Sequence, residues 1–359
     1  MKENNILLII QRSNGDVYLA KKTIDVLKEY FNAEIDLLIN EDTLATAKLF
    51  KNIRSFICFS YEKKKKERFS QELKILKTIY KKYDLSINLT ASDRSTFYCI
   101  LAGKKTVSAV EFNKKKSWWK RMLLSDFYEH NFTEHIFLQN LKPLDKLKIP
   151  HDLSLNPPKP SESSLNEIKK RLNEFGITNF IIFHPSAQYD YKIYPKNLRD
   201  RLLRKLTKLD IPIVITGGNS EIDQRIRTEV PESENIYNFI GDLTLSEYMA
   251  LSDLSTCYIG MDTLNMHIAA SQNKRVFAIF GPTLVSIWSP WSNILKTGTK
   301  ENIHIQTYGS NTIFQANLEC VACGKAGCND QHDVSLCLDH IDPELIYKEV
   351  KNFINDQKI

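Results

Sequence analysis

The chain has 359 residues, 42% of them hydrophobic and 26% charged, with a formal net charge of +6. This is the make-up of a soluble globular protein, and the length points to two domains. No apolar run approaches the ~18 residues of a membrane span, and ILLII (Ile6–Ile10) is too short for the core of a signal peptide, so a cytoplasmic protein is expected.

The charge is uneven. Residues 1–150 hold 28 Lys and Arg against 18 Asp and Glu; residues 151–359 hold 21 against 25. A basic first half suggests an anionic partner: nucleic acid, acidic lipid or a phosphorylated substrate. YEKKKKERF (Tyr61–Phe69) by itself reads as solvated surface.

Apolar runs alternate with amphipathic ones. NILLII (Asn5–Ile10), EIDLLI (Glu34–Ile39), SFICFS (Ser55–Ser60), LSINLT (Leu85–Thr90) and TVSAV (Thr106–Val110) read as strands. VYLAKKTIDVLKEYF (Val17–Phe31) reads as a helix with Leu19, Ile24, Leu27 and Tyr30 on one face. KIPHDLSLNPPKPSESS (Lys148–Ser164) breaks the pattern and reads as a linker. Beyond it, NFIIFH (Asn179–His184), PIVITGG (Pro212–Gly218), IYNFIG (Ile236–Gly241), STCYIG (Ser255–Gly260) and RVFAIFG (Arg275–Gly281) read as a second set of strands. Near-continuous apolar strands between helices predict two parallel, doubly wound sheets.

Ligands in such sheets bind beyond the carboxyl ends of the strands. The first strand runs into QRSNGDV (Gln11–Val17), where Gly15 lets the chain turn and Asp16 opens the next helix. Asp16 is there either a helix cap, worth ~1 kcal/mol, or a general base. In HPSAQYDYKIYPKNL (His184–Leu198), Lys192 lies in a polar loop with aromatic neighbours, solvated or reaching a phosphate. In ITGGNSEID (Ile215–Asp223), Glu221 either accepts from ribose hydroxyls or favours the helix dipole.

YIGMDTLNMHIAASQNKRVFAIFGPT (Tyr258–Thr283) joins a buried strand, a helix and a Gly-Pro-Thr turn. The amides of Thr263, Leu264 and Asn265 at the helix mouth suit a diphosphate. Asp262 caps that helix or accepts from a sugar hydroxyl, and His267, one turn in, is structural or faces the site. No G-x-G-x-x-G and no G-x-x-x-x-G-K-[ST] occurs, which removes most support for a dinucleotide dehydrogenase or a P-loop NTPase.

Two further segments stand out. KKKSWWKRMLL (Lys114–Leu124) sets Lys115, Lys116, Lys120 and Arg121 around Trp118 and Trp119, which suits either a membrane interface or a helix packing its tryptophans inward. CVACGKAGCNDQHDVSLC (Cys320–Cys337) places Cys320, Cys323, Cys328 and Cys337 at C-x₂-C-x₄-C-x₈-C spacing, with His332 inside. The cluster is read as a structural zinc or iron site, or as free thiols. Cys58, Cys99 and Cys257 lie in apolar runs and read as packing residues.

The ordered set GDV, INLTASDRS (Ile87–Ser95), HPSAQYDYKIYP, VITGGNSE, FIGDLTLSEYMALSDLSTCYIGMDTLNMHIAA and VFAIFGPT resembles glycosyltransferase family 9, the ADP-heptose:lipopolysaccharide heptosyltransferases, over nearly the whole chain. The resemblance implies an α/β GT-B fold of two Rossmann-like, doubly wound domains facing across a cleft. Residues 1–150 would bind acceptor, 151–164 link, and 165–359 bind nucleotide sugar, with the final helix PELIYKEVKNFI (Pro343–Ile354) free to pack on either domain.

The resemblance also implies an inverting transfer of heptose from ADP-heptose to a lipopolysaccharide inner-core acceptor, with no catalytic cofactor and no nucleic acid. The site of action is expected to be the cytoplasm, and the membrane-interface reading of Lys114–Leu124 would add peripheral contact at the inner face of the inner membrane. Asp16 would be the base and Lys192 the group on the leaving diphosphate. Ser186, Glu221, Asp262, Thr263, Leu264, Asn265 and His267 would form the donor site, and Arg94 would meet the acceptor.

The chain departs from the family's D-[ST]-G-P-M-H by reading D-T-L-N-M-H, with Leu264 in the glycine position, and its loop before GDV is about one residue shorter. Two other readings follow: a GT-B enzyme using another nucleotide sugar, or a non-catalytic, metal-clamped sugar-nucleotide or glycolipid binding protein.

Overall fold

The computed structural model describes residues 3–112, 115–131 and 133–357, without the side chains of 64–66 and 116. The chain divides into two compact units, Met1–Pro158 and Lys159–Ile359. The division falls in the Pro- and Ser-rich stretch, but the end of that stretch is helix. Ser161 accepts from the Ser164 amide at 3.1 Å and caps the helix Glu162–Glu174.

The first unit carries β1 (Asn5–Ile10), β2 (Glu34–Asn40), β3 (Ser55–Phe59), β4 (Tyr83–Asn88), β5 (Gly103–Glu111) and β6 (Asp126–His130). They form one sheet in the order β3-β2-β1-β4-β5-β6. All five pairings are parallel. Leu7, Ile9, Leu38 and Val110 feed a core with Ile75, Ile79 and Cys99, and helices on the sheet explain the unbroken apolar strands. Strand order reverses between β1 and β4, so the crevice for a ligand opens after those two strands.

Two local expectations are corrected. Val17–Phe31 is not one helix: Asn14–Tyr18 and Lys21–Phe31 are separate. The break resets the register, so Thr23, Ile24, Val26 and Leu27 are buried while Tyr30 is exposed. Gly15 sits inside the first helix and is not among the residues with positive φ, so it makes no turn.

The second unit carries β7 (Ile181–His184), β8 (Ile213–Ile215), β9 (Ile236–Asn238), β10 (Cys257–Met261), β11 (Arg275–Ile279), β12 (Ile305–Tyr308) and β13 (Asn311–Phe314). Their order is β12-β13-β11-β10-β7-β8-β9, antiparallel at β12–β13 and parallel elsewhere. The reversal lies between β7 and β10. Those strands approach so closely that a Cβ on Gly260 would stand 2.4 Å from the His184 carbonyl oxygen, which explains glycine at that strand position.

The final helix, Pro343–Asp356, packs on the core of this unit. Ile346, Val350 and Ile354, four residues apart, enter the same core as Ile279 and Leu202. Lys205 pairs with Glu344, and the Phe353 ring meets Phe277 at 6.0 Å.

Candidate functional site

In the first unit, the loop after β1 delivers Asp16 to the crevice edge. Ser13 caps the helix Asn14–Tyr18, and Asp16, its third residue, closes the reciprocal box. Asp16 Oδ2 accepts from the Ser13 hydroxyl at 2.7 Å and from its amide at 3.3 Å. Oδ1 lies 3.3 Å from Arg12 Nη2. Asp16 is thus both a capping group and a buried carboxylate.

Arg12 extends the array. Its Nη1 lies 2.6 Å from Nε2 of His130, the last residue of β6. Burial, with Arg12 beside it, pushes His130 down to about 4. Gln11 is buried next to them, and neither end of its amide has a partner among the described residues. Sequence reading missed Arg12, Gln11 and His130, because β6 was not recognised and β1 and β6 are brought together only by the sheet.

Arg94 follows β4, on the other side of the reversal. Its guanidinium stacks 3.7 Å from the Phe59 ring centroid, and Nη2 donates to Tyr61 Oη at 2.8 Å. Nε is buried with no partner among the described residues.

In the second unit, the loops after β7 and β10 meet at the reversal. Lys192 ends a short 3₁₀ turn, Asp190–Lys192, and its Nζ donates to Asp262 Oδ2 at 3.0 Å. Burial works against its charge, but the Asp262 carboxylate and then the Tyr191 and Tyr189 phenols hold its pKa above the ordinary lysine value. The other oxygen, Asp262 Oδ1, is buried with no partner among the described residues.

Asp262 directly precedes Thr263, the N-cap of the helix Leu264–Ser271. The opening amides of such a helix have no partner within it, and they carry the positive end of the dipole. Thr263, Leu264 and Asn265 are half-buried there and His267 is buried. Lysine, carboxylate and helix mouth together have the chemistry that suits a diphosphate with hydroxyls beside it.

His184, the last residue of β7, supports this surface. Its Nδ1 lies 3.0 Å from Thr216 Oγ1 and 3.1 Å from Asn265 Nδ2, tying the helix mouth to the strand. Burial outweighs the nearby Asp223 carboxylate and pushes its pKa down to about 4. Both His130 and His184 titrate near 6.5 in the unfolded chain. The unfolded chain therefore binds more protons between about pH 4 and 6.5. Stability is fully present above that window and falls as pH drops through it, by at most about 3 kcal/mol for each imidazole. The melting temperature of His184→Gln should fall less than that of wild type between about pH 7 and pH 5; parallel slopes would exclude His184 as a titrating group.

Two predicted donor residues are placed differently from expectation. Ser186 is buried and donates to Asp223, so its hydroxyl proton is engaged. Glu221 is exposed at the first position of the helix Glu221–Glu229. The buried carboxylate there is Asp223, held below the usual range: Ser186 and Ser220 hydrogen bonds outweigh the penalty of burial. It closes a capping box with Ser220, a spacing that was present in S-E-I-D.

The cysteine loop braces this unit. The Gly324 amide donates to the Pro282 carbonyl at 2.7 Å, and the His332 ring lies 5.7 Å from Tyr191 and 5.9 Å from Tyr189. Cys320, Cys323 and Cys328 are exposed free thiols and Cys337 is buried. Burial, with the thiols of Cys328, Cys323 and Cys320 near it, pushes Cys337 up to about 12. Among the described residues no group of three or more His, Cys, Asp or Glu side chains is placed to hold a metal ion.

Comparisons with known proteins bear on the family and the fold. Lipopolysaccharide heptosyltransferase 3 of Escherichia coli is 24% identical over 296 residues, covering 79% of this chain and 85% of that protein. Lipooligosaccharide heptosyltransferase 2 of Campylobacter jejuni is 25% identical over 355 residues, covering 96% and 97%. The structure of E. coli ADP-heptose lipopolysaccharide heptosyltransferase II superposes with a TM-score of 0.70 at 16% identity, covering 99% of this chain and 100% of that one. The two Rossmann-like units make up the GT-B fold of these neighbours. The profile of glycosyltransferase family 9 (heptosyltransferase) matches residues 72–314, and the chain belongs to that family.

Proposed function

We propose that the protein transfers heptose, with inversion, from ADP-heptose to a lipopolysaccharide core acceptor. The observation that carries this reading is the Lys192–Asp262 pair at the mouth of the Leu264–Ser271 helix, with Asp262 Oδ1 buried and unmatched. A cation and helix amides suit the diphosphate, and an unmatched carboxylate oxygen suits a sugar hydroxyl. The E. coli neighbour, an ADP-heptose lipopolysaccharide heptosyltransferase, supports the donor assignment.

In this reading Asp16 takes the proton of the acceptor hydroxyl. The acceptor oxygen bonds to the anomeric carbon from the face opposite ADP. The bond from that carbon to the diphosphate oxygen breaks, and ADP leaves with the electron pair. Lys192 and the amides after Asp262 stabilise the charge that grows on the diphosphate. Arg94 meets an anionic group of the acceptor. Leu264 supports a second reading, in which the same residues bind a different nucleotide sugar.

The deciding experiment is mass spectrometry of a core acceptor incubated with the protein and ADP-heptose. A product heavier by one heptose is expected. No product with ADP-heptose, and a product with another nucleotide sugar, would select the second reading; no product with any donor would select a binding protein.

Phosphate neutralisation by Lys192 and backbone amides also leads to an expectation about metals. Turnover should be unchanged in EDTA. Strict dependence on added Mg²⁺ or Mn²⁺ would contradict the assignment of that charge to Lys192.

A further inference from the structure

The helix Trp118–Leu123 inverts the usual rule of burial. Lys120 is 0% exposed, and Trp118, Met122 and Leu123 are 62%, 72% and 60% exposed. The charges are held inward by specific partners. Lys120 Nζ lies 2.8 Å from both oxygens of Glu111 and 2.7 Å from Asp93 Oδ1. Arg121 donates to Glu129 at 3.0 Å and to the Glu111 carbonyl at 3.2 Å. A fully buried lysine is tolerated only when paired in this way. The pairing fixes the rotation of the helix and turns its apolar side chains to solvent.

Neighbouring elements widen the patch. Phe112, just after β5, is exposed. Phe97 is also exposed and lies one turn after Asp93 on the helix Asp93–Ala102, on the side that meets Lys120. The patch stands beyond the carboxyl ends of the strands, the edge that also carries Asp16 and Arg94.

The surroundings are basic. Lys115 is exposed immediately before the helix, and the nearby acids Asp93, Glu111 and Glu129 are already paired. The helix Lys64–Ile79 packs on Asp93–Ala102. Residues 61–82, which contain it, hold nine Lys and Arg against three Asp and Glu. Lys114 lies outside the described residues, as does the side chain of Lys116.

We infer that this surface docks on an anionic phospholipid bilayer, with Trp118, Met122 and Leu123 entering the interface. Lysine is depleted in protein–protein contacts, whereas a small apolar cluster within a basic region of the chain matches an acidic lipid surface. The inference deepens the partner side of the proposed function, since docking here turns the acceptor edge of the first unit toward a membrane-anchored acceptor.

The test is sedimentation with vesicles containing phosphatidylglycerol, which needs neither donor nor acceptor, so its outcome is separate from that of the transfer assay. Wild type should bind these vesicles and bind neutral phosphatidylcholine vesicles far more weakly. The triple substitution Trp118→Ser, Met122→Ser, Leu123→Ser should weaken binding by about tenfold or more with an unchanged melting temperature, since all three side chains are exposed. Its rate on a deacylated, water-soluble acceptor should equal that of wild type, and its rate on acceptor embedded in vesicles should fall.

As a second measurement, brominated lipid should quench tryptophan fluorescence of wild type and quench Trp118→Phe less. This remains informative should the triple variant misfold. No binding by wild type, equal binding to neutral vesicles, equal binding by the variants, or a dimer of wild type that the substitutions dissociate would each overturn the inference.

Discussion

Asp16→Asn should lower the transfer rate by about 10²–10⁴-fold and leave ADP affinity unchanged. The amide keeps an oxygen that can accept from the Ser13 amide and hydroxyl, so the helix Asn14–Tyr18 retains its cap. It cannot take a proton from an attacking hydroxyl, and it cannot pair with Arg12 as a carboxylate does. Affinity should hold because Asp16 belongs to the first unit, whereas the diphosphate is assigned to Lys192 and Asp262 in the second. Steady-state rates with saturating donor and acceptor, together with ADP calorimetry, check both parts. A residual rate above about a tenth of wild type would reduce Asp16 to a capping residue worth ~1 kcal/mol of stability.

Lys192→Ala should weaken ADP binding and lower kcat by roughly 10²–10³-fold, the scale of removing one donor from a developing oxyanion. The contact strengthens as the leaving diphosphate gains charge, so the rate falls further than ground-state affinity does. The substitution has a second effect that must be separated. It leaves Asp262, buried and already unmatched at Oδ1, without its cation. A lone buried carboxylate destabilises the fold and repels the diphosphate. Lys192→Ala combined with Asp262→Asn removes that charge. The double variant should recover melting temperature and part of the ADP affinity but not kcat. If kcat recovers as well, Lys192 serves only to neutralise Asp262.

Much of the candidate site was legible because its residues lie at strand ends. Asp16, Lys192 and Asp262 each follow an apolar run and precede a helical one, and parallel sheets place such junctions on one edge. What was not legible was the partner of each group. Arg12 was passed over within QRSNGDV because the imidazole it meets, His130, lies on a strand too short and polar to be recognised. Ser186 and Glu221 were both assigned to the donor site. Packing separated them, burying Ser186 against Asp223 and leaving Glu221 in solvent. Lys120 looked like surface charge until Asp93 and Glu111 closed on it.

The sequence by itself determined the two sheets, the break between them and the loops that carry chemistry. These follow from local hydrophobic period and from Pro, Gly and Ser, which act within a few residues of themselves. It did not determine β6, β12 or β13, whose short or half-polar strands become strands through pairing with a formed sheet. Nor did it determine which unit takes the last helix, since an apolar stripe states only that a face is to be buried. Tertiary structure decided the functional pairs: Lys192 with Asp262, 70 residues apart, and Arg12 with His130, 118 apart. Strand order set both, because β7 lies beside β10 in one sheet and the other brings the carboxyl ends of β1 and β6 to one edge. That order comes from which strands bury each other's faces, a long-range choice that no window of the sequence contains.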